Sequence, residues 1–536
     1  MKNKISVVRL IILVVVALIL YYFMLPPLNL TSPLFWLYAF LLYFVYMFTS
    51  ILKLVDIRQL FIEKITISKK NKVPILPFLV FPTVIILLIF VNIIMSPLFQ
   101  SSSYYKRITI NEEGNFTEDI KPVDFNALPL LDKDSSQKLG DRVMGQLPEL
   151  VSQFDVSELY TQINYNNNIA RVTPLEYNGL IKYFANRKDG VKGYIVVNSV
   201  TGEASLTKLD KGMKYMPSAY FFENLYRKLR IDYPTLIFDE ANFEIDNDGN
   251  PYWIVPTIKY SGVGLRREIT GVVILDPITG KSNKYSVGEI PTWVDHVYPA
   301  DLIIEEVDDW GQYKNGYLNS VFSQKNVVQT TEGYNYTVMN DDVYLYTGIT
   351  SKVADEANVG FILTNMRTKE TNYYAVPGAE EYSAMASAEG QVQQMNYRST
   401  FPLLINLNNK PTYLVSLKDN AGLVKMYGFI DVTDYQKVVV TESSEGIVKA
   451  AQKYLGNNQS FINNESTIKK DITIKSVKDV IINGNTYYYL VDTNNKKYRV
   501  NINVSEFILP FIKENSSITV YYEQESDVIE IIKIDK

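Results

Sequence analysis

The sequence predicts an α+β protein: three N-terminal transmembrane helices, then tandem helix-plus-antiparallel-sheet modules, then a small C-terminal β-barrel of OB or SH3-like type. Three observations predict it. Three long apolar stretches fill the first 97 residues and a polar chain follows. A ten-residue pattern ending in an Asn or Asp turn recurs along that chain. The last 66 residues read as short alternating strands with Asn- and Gly-rich turns.

The apolar stretches run from about Ile5 to Leu25, Leu34 to Val55 and Ile75 to Phe99. Each approaches or exceeds the ~20 residues a helix needs to cross a bilayer core. The first is too long and lacks the small-residue cleavage site of a signal peptide. The connection Pro26 to Pro33 carries no charge, whereas Lys53 to Lys72 holds Lys53, Arg58, Lys64, Lys69, Lys70 and Lys72. The N-terminus adds Lys2, Lys4 and Arg9. Basic loops favour the cytoplasm. The chain is thus expected to be a multi-pass cell-membrane protein with a cytoplasmic N-terminus and residues from about 100 onward extracytoplasmic. No acidic residue or His falls in the three stretches, so anchoring is favoured over transport.

Composition excludes several chemistries. With no Cys among 536 residues there are no disulfides, thiol catalysis or Cys-ligated zinc. One His, His296, excludes multi-His metal sites and two-imidazole mechanisms, and no GxSxG elbow accompanies it. It reads as a structural or surface residue. A net charge of −5 argues against nucleic acid. Absence of disulfides in a long exterior part suggests a bacterial surface.

After the anchor (1–99), residues 100–154 read as an extended leader followed by an amphipathic helix carrying Leu139, Val143, Met144 and Leu147. A weak repeat then begins. Gly193 to Gly202 (GYIVVNSVTG) matches Gly271 to Gly280 (GVVILDPITG). It returns degraded at Gly360 to Lys369 (GFILTNMRTK) and as a trace at Gly428 to Thr433 (GFIDVT). Each instance follows another strand-like run, so each unit reads as a hairpin closed by a polar turn. Helix-like segments lie between: 217–230 with Phe221, Leu225 and Leu229 at i, i+4, i+8; 299–320 with Leu302, Ile303 and Val307; and 443–455. The boundaries are 155–298 for a first pair of units, 299–456 for a more divergent second pair, 457–470 for a polar linker, and 471–536 for the barrel, with five strands and a short helix near Ser505 to Phe511.

The segment from Gly249 through Pro251-Tyr-Trp-Ile-Val255 to Gly271-Val-Val-Ile-Leu-Asp-Pro-Ile-Thr-Gly280 resembles the PepSY-type module of bacterial envelope proteins, best over about 155–285. The resemblance implies an extracytoplasmic, non-catalytic interaction module. The later units lack the Thr-Gly turn.

Two patterns suggest chemistry. Asp246-Asn-Asp-Gly-Asn250 opens like a calcium loop, but its spacing fails and an Asp-Gly hairpin turn is the better reading. Glu305, Glu306, Asp308 and Asp309 beside Trp310 form the densest acidic cluster, and Glu305 and Asp309 would share a helix face. Paired carboxylates beside an aromatic suit glycan hydrolysis, while a solvated charge run is the plainer reading. The stretch from Asp308 through Tyr313 to Tyr317 reads as a shaped loop. Glu305, Asp308, Asp309, Trp310, Tyr313 and Tyr317 are therefore the candidate interaction loop. No catalytic residue, cofactor or metal is assigned. The expected partners are the lipid bilayer and other envelope proteins, with cell-wall glycan as a further candidate. The function expected is a scaffold or accessory protein of a bacterial envelope assembly. The alternatives are a glycan-binding protein or carboxylate-dependent hydrolase, and a ligand-binding subunit of a transporter or sensor.

Overall fold

The computed structural model describes residues 2–52, 75–166, 168–339, 341–352, 354–456, 468–482, 485–505, 508–522, 528–531 and 533–535. The basic connection from Lys53 to Lys72, the Asn483-Gly484 turn and the linker residues 457–467 lie outside them. The chain forms two compact units, Met1–Gly114 with Leu131–Ala375, and Asn115–Leu130 with Val376–Lys536.

The N-terminal apolar segments are helical over Lys2–Met24, Pro33–Leu52 and Ile75–Met95, followed by Pro97–Tyr105. They do not supply three spans. Among the described residues no single helix is long and apolar enough to cross a membrane. The described apolar helices Leu10–Met24 and Pro33–Thr49 fall short, and one pair, Leu79–Met95 with Pro97–Tyr105, has the length and composition only jointly and is bent by 48°. The breaks have local causes. Leu25 takes a left-handed φ of 48° ahead of Pro26 and Pro27, and Pro97 starts a new helix after Ser96. Neither the three-helix anchor nor the multi-pass placement of residues beyond 100 stands.

Four sheets share one plan. In the first, Phe154–Val156 and Thr161–Tyr165 both pair with Asn168–Tyr177, which pairs with Val191–Asn198 and then Ala204–Met213. The second repeats this with Ile237–Phe238, Asn242–Ile245, Pro251–Ser261, Arg266–Leu275 and Ser282–Ser286. The third uses Val328–Thr330, Asn335–Met339, Asp342–Ser351, Ala354–Asn365 and Thr371–Tyr374. The fourth uses Arg398–Ser399, Leu403–Leu407, Lys410–Lys418, Val424–Asp431 and Val438–Glu442. A helix precedes each: Lys133–Gly145, Leu225–Asp232, Ala300–Tyr313 and Glu381–Gln391.

The turn after the fourth long strand explains the recurring motif. Asn198 Oδ1 accepts the amides of Val200 and Thr201, both at 2.9 Å. Asp276 does the same for Ile278 at 2.8 Å and Thr279 at 3.2 Å, and Asn365 for Arg367 and Thr368 at 2.9 Å. Asp431 accepts from Thr433 at 3.0 Å. The first three turns end on a left-handed residue, Gly202, Gly280 and Lys369. The Asx side chain folds its own backbone, so the turn forms from local chemistry.

The second sheet is buried on both faces. Trp253, Val255, Val273 and Leu275 enter the core shared with the first sheet. Ile254, Val272 and Ile274 alternate into the core shared with the third. That is why PYWIV and GVVIL read as continuous apolar runs rather than alternating ones.

The extended leader is not free chain. Ile110–Gly114 pairs in parallel with Thr371–Tyr374 at the edge of the third sheet. In the other unit, Phe125 and Leu128 join Leu414, Phe429 and the Ile447–Leu455 helix in the core of the fourth sheet. Among the described residues the C-terminal region has six strands rather than five, ordered Val528–Glu530, Lys497–Asn501, Asn485–Asp492, Ile468–Ile482, Ser517–Tyr522, Lys533–Asp535. They wrap a core of Tyr498, Val500, Val520 and Tyr522. The order is linear, so strand pairing does not close a barrel among the described residues. Of the expected short helix near Ser505 to Phe511, the described residues show a 3-10 turn at Leu509–Phe511, and residues 506 and 507 lie outside them.

Candidate functional site

The residues singled out by sequence lie on the Ala300–Tyr313 helix and the turn behind it, not in a loop. Proline at 299 opens the helix, and Leu302, Ile303, Val307 and Trp310 bury its inner stripe. Gly311 lets the helix pass against the Val328 carbonyl, where a β-carbon would collide.

Glu305 and Asp309 do share a face, and both grip one arginine. Arg107 Nη1 donates to Glu305 Oε1 at 2.7 Å and to Asp309 Oδ2, and its Nη2 donates to the Arg267 carbonyl at 3.0 Å. Arg267 bridges Asp301 at 2.7 Å and the other Glu305 oxygen at 3.1 Å. Burial raises the Asp309 carboxyl to about 6, against the opposing pull of the Arg107 guanidinium. Glu306 points inward, 1% exposed, with its carboxyl raised by burial and the Lys369 ammonium 2.8 Å away. Asp308 accepts from the Thr330 amide at 2.7 Å and its hydroxyl at 2.9 Å. Trp310 sits in the core, and the Tyr313 ring lies 5.9 Å from that of Tyr104. Only Tyr317 stands apart; its carbonyl accepts from Ser320 Oγ at 2.7 Å. The acidic run is thus engaged within the fold: Glu305 and Asp309 tie the helix to Arg107, Glu306 pairs with Lys369, and Asp308 holds Thr330.

His296 is buried. Its Nε2 lies 2.6 Å from the Gln162 carbonyl, which fixes the Nε2–H tautomer as donor. Glu244, fully buried, accepts the amides of Asp295 at 2.9 Å and His296 at 3.0 Å. Asp295 Oδ2 accepts the Asn164 amide at 2.8 Å. Burial raises the Glu244 carboxyl to about 7 and Asp295 well above its ordinary value, and lowers His296 to about 4. Asp246 closes the Asp-Gly turn through the amides of Asp248 and Asn250. Among the described residues no group of three or more His, Asp or Glu side chains is placed to hold a metal ion.

Sequence reasoning missed two exposed apolar features. Behind the Ala300–Tyr313 helix, the Asn319–Ser323 turn holds out Leu318, Val321 and Phe322, the last 79% exposed. On the first sheet, Ile181 and Phe184 project from the Gly179–Asn186 helix beside Phe221 and Phe222. Helical spacing places Phe221 in one stripe with Leu225 and Leu229. Those two are fully buried, but Phe221 precedes the helix, is exposed, and has a left-handed φ of 54°. A run of three aromatics, Tyr220-Phe-Phe222, just before an Asn N-cap was the available signal.

No protein-family model matches the chain, and no curated protein matches it. The PepSY-type resemblance therefore rests on the residues that suggested it.

Proposed function

We propose that the chain is a non-catalytic scaffold or accessory protein that acts by binding other proteins. The observation that carries this is the ordered apolar knob at Leu318, Val321 and Phe322. It is held rather than floppy: the Gln324 amide donates to the Asn319 carbonyl at 2.7 Å, and Asn319 Nδ2 donates to the Lys325 carbonyl at 3.0 Å. Gln324 and Asn326 adopt left-handed backbone to close it. A preformed apolar projection loses little entropy when a partner covers it. The acidic residues that hydrolysis would need are engaged by Arg107 and Arg267, which supports binding over chemistry.

The experiment places a photo-crosslinking amino acid at position 322 of the full chain in cells. One recurrent adduct, absent when the crosslinker sits at Asp248 and lost in a Leu318→Asp background, is the expected result. A folded protein that yields no recurrent adduct from 322 overturns the reading.

A further inference from the structure

The second apolar feature lies beside the first sheet. Ile181 is 82% and Phe222 66% exposed, and the Phe184 and Phe221 rings lie 5.8 Å apart between them. Their positions are fixed from beneath. The buried Tyr183 hydroxyl donates to Glu223 at 2.6 Å, and Glu223 accepts from Arg187 at 3.2 Å. The left-handed Phe221 backbone is a strain that bulky residues adopt only where surrounding structure enforces it.

This face adjoins the end of the first apolar helix. The Arg227 guanidinium lies 4.0 Å from the centre of the Tyr22 ring and donates to the Phe221 carbonyl. Arg230 Nε donates to the Leu25 carbonyl at 2.9 Å, and the Leu28 amide to Pro234 at 2.7 Å. On the same helix Leu10, Ile11, Ile12, Val14 and Val15 are all exposed. At 3.6 residues per turn they cover about 200° of its circumference. A protein groove covers one stripe of a helix, whereas a lipid layer takes up an apolar arc this wide. Lys182 and Lys188 lie within and just beyond the helix that carries Ile181 and Phe184, and Arg227 adjoins Phe221, while Arg187 is engaged by Glu223; this is positive charge of the kind anionic headgroups attract.

We propose that the face made by Ile181, Phe184, Phe221 and Phe222 is a docking surface for an anionic phospholipid layer, continuous with the exposed apolar side of the first helix. Seating on a surface asks no helix to cross it. The aromatic rings enter the acyl boundary and the Lys and Arg side chains meet phosphate.

The chain has no cysteine, so single-cysteine full-length variants carry one fluorophore each. Phe222→Cys and Ile181→Cys report on the face. Asp248→Cys is the control, at the far end of the Pro251–Ser261 strand from the turn that bonds Asn92 and Thr31, about 35 Å away at ~3.3 Å per residue. Each labelled, polarity-sensitive variant is mixed with phosphatidylglycerol–phosphatidylcholine vesicles whose acyl chains are brominated. The expected result is emission at 222 and 181 quenched to about half or less, with 248 unchanged, and weaker quenching on phosphatidylcholine alone. Four outcomes overturn the proposal: no co-flotation with vesicles; equal response at all three positions; quenching independent of phosphatidylglycerol; or a blue shift that grows with protein concentration but is not quenched, which would indicate a second copy on the face.

Discussion

Lys369 shows how a single residue can break a repeat for a reason. The equivalent turn positions are Gly202 and Gly280, with φ of 76° and 72°, and Lys369 holds φ 64°. A side chain there costs about 1–2 kcal/mol relative to glycine. The lysine reaches where glycine cannot: its ammonium lies 2.8 Å from the buried Glu306 carboxylate and donates to the Arg107 carbonyl at 2.8 Å. Removing one partner of a buried pair costs about 3–5 kcal/mol. Lys369→Gly is therefore expected to destabilise the third sheet by about 2 kcal/mol even though it relieves the backbone. Adding Glu306→Gln should recover most of the loss, because no buried charge is then left unpaired. Amide hydrogen exchange on the Ala354–Asn365 strand reads both. A neutral or stabilising Lys369→Gly would show that the ion pair contributes nothing.

At the scale of the element, one turn type has two prices. Gly202 and Gly280 close the same Asx turn, but a β-carbon on Gly202 would meet only Leu131 at 3.7 Å, while one on Gly280 would strike the Tyr215 ring. Gly202→Ala should cost about 1 kcal/mol of left-handed strain, and Gly280→Ala about 1–2 kcal/mol more as the ring is displaced. Denaturant titration of the two variants checks the order; equal losses would mean the ring moves freely. These turns were legible in the sequence because their chemistry is local: an Asx side chain, two amides and a left-handed residue within five positions. The acidic helix was misread because its partner, Arg107, is 198 residues from Glu305. No local pattern reveals that the carboxylates turn inward. Phe221 was misplaced because helical spacing ignores where an N-cap sits, and Asn224, capping through the Arg227 amide at 3.2 Å, starts the helix after it. The apolar composition of the N-terminal segments was visible, but among the described residues no single helix combines the length and apolarity of a span, and the one pair that does so jointly is bent at Ser96.

In the larger compact unit, three sheets meet at one buried joint. Glu244 belongs to the second sheet; Gln162 and Asn164 to the first; and Tyr336 of the third sheet sets its ring 5.6 Å from His296. Asp342, paired with Arg367 at 2.7 Å, and Asp341 add negative charge near Asp295, and Arg171 faces His296. The joint is expected to be pH-dependent, with parts that oppose one another. Burial raises the Glu244 carboxyl from 4.5 to about 7. Its contribution to stability is therefore fully present below about 4.5 and is lost as pH climbs through about 7. Asp295, also raised, acts in the same direction. His296 is lowered to about 4, so its contribution is present above about 6.5 and is lost as pH falls through about 4. Between those limits the two effects partly cancel, and the wild-type profile alone would hide both. Glu244→Gln separates the carboxyls from the imidazole: His296 titrates in both proteins and drops out of the difference, which reads Glu244 together with the part of the Asp295 shift that Glu244 causes. The stability of wild type minus Glu244→Gln should fall by about 2–3 kcal/mol from pH 5 to pH 8. It should sit on a constant offset in favour of wild type, because an amide nitrogen cannot accept one of the two backbone amides that the carboxyl now receives. A difference that stays flat across that range would mean the carboxyl carries no extra proton in the folded chain, and that water reaches the joint.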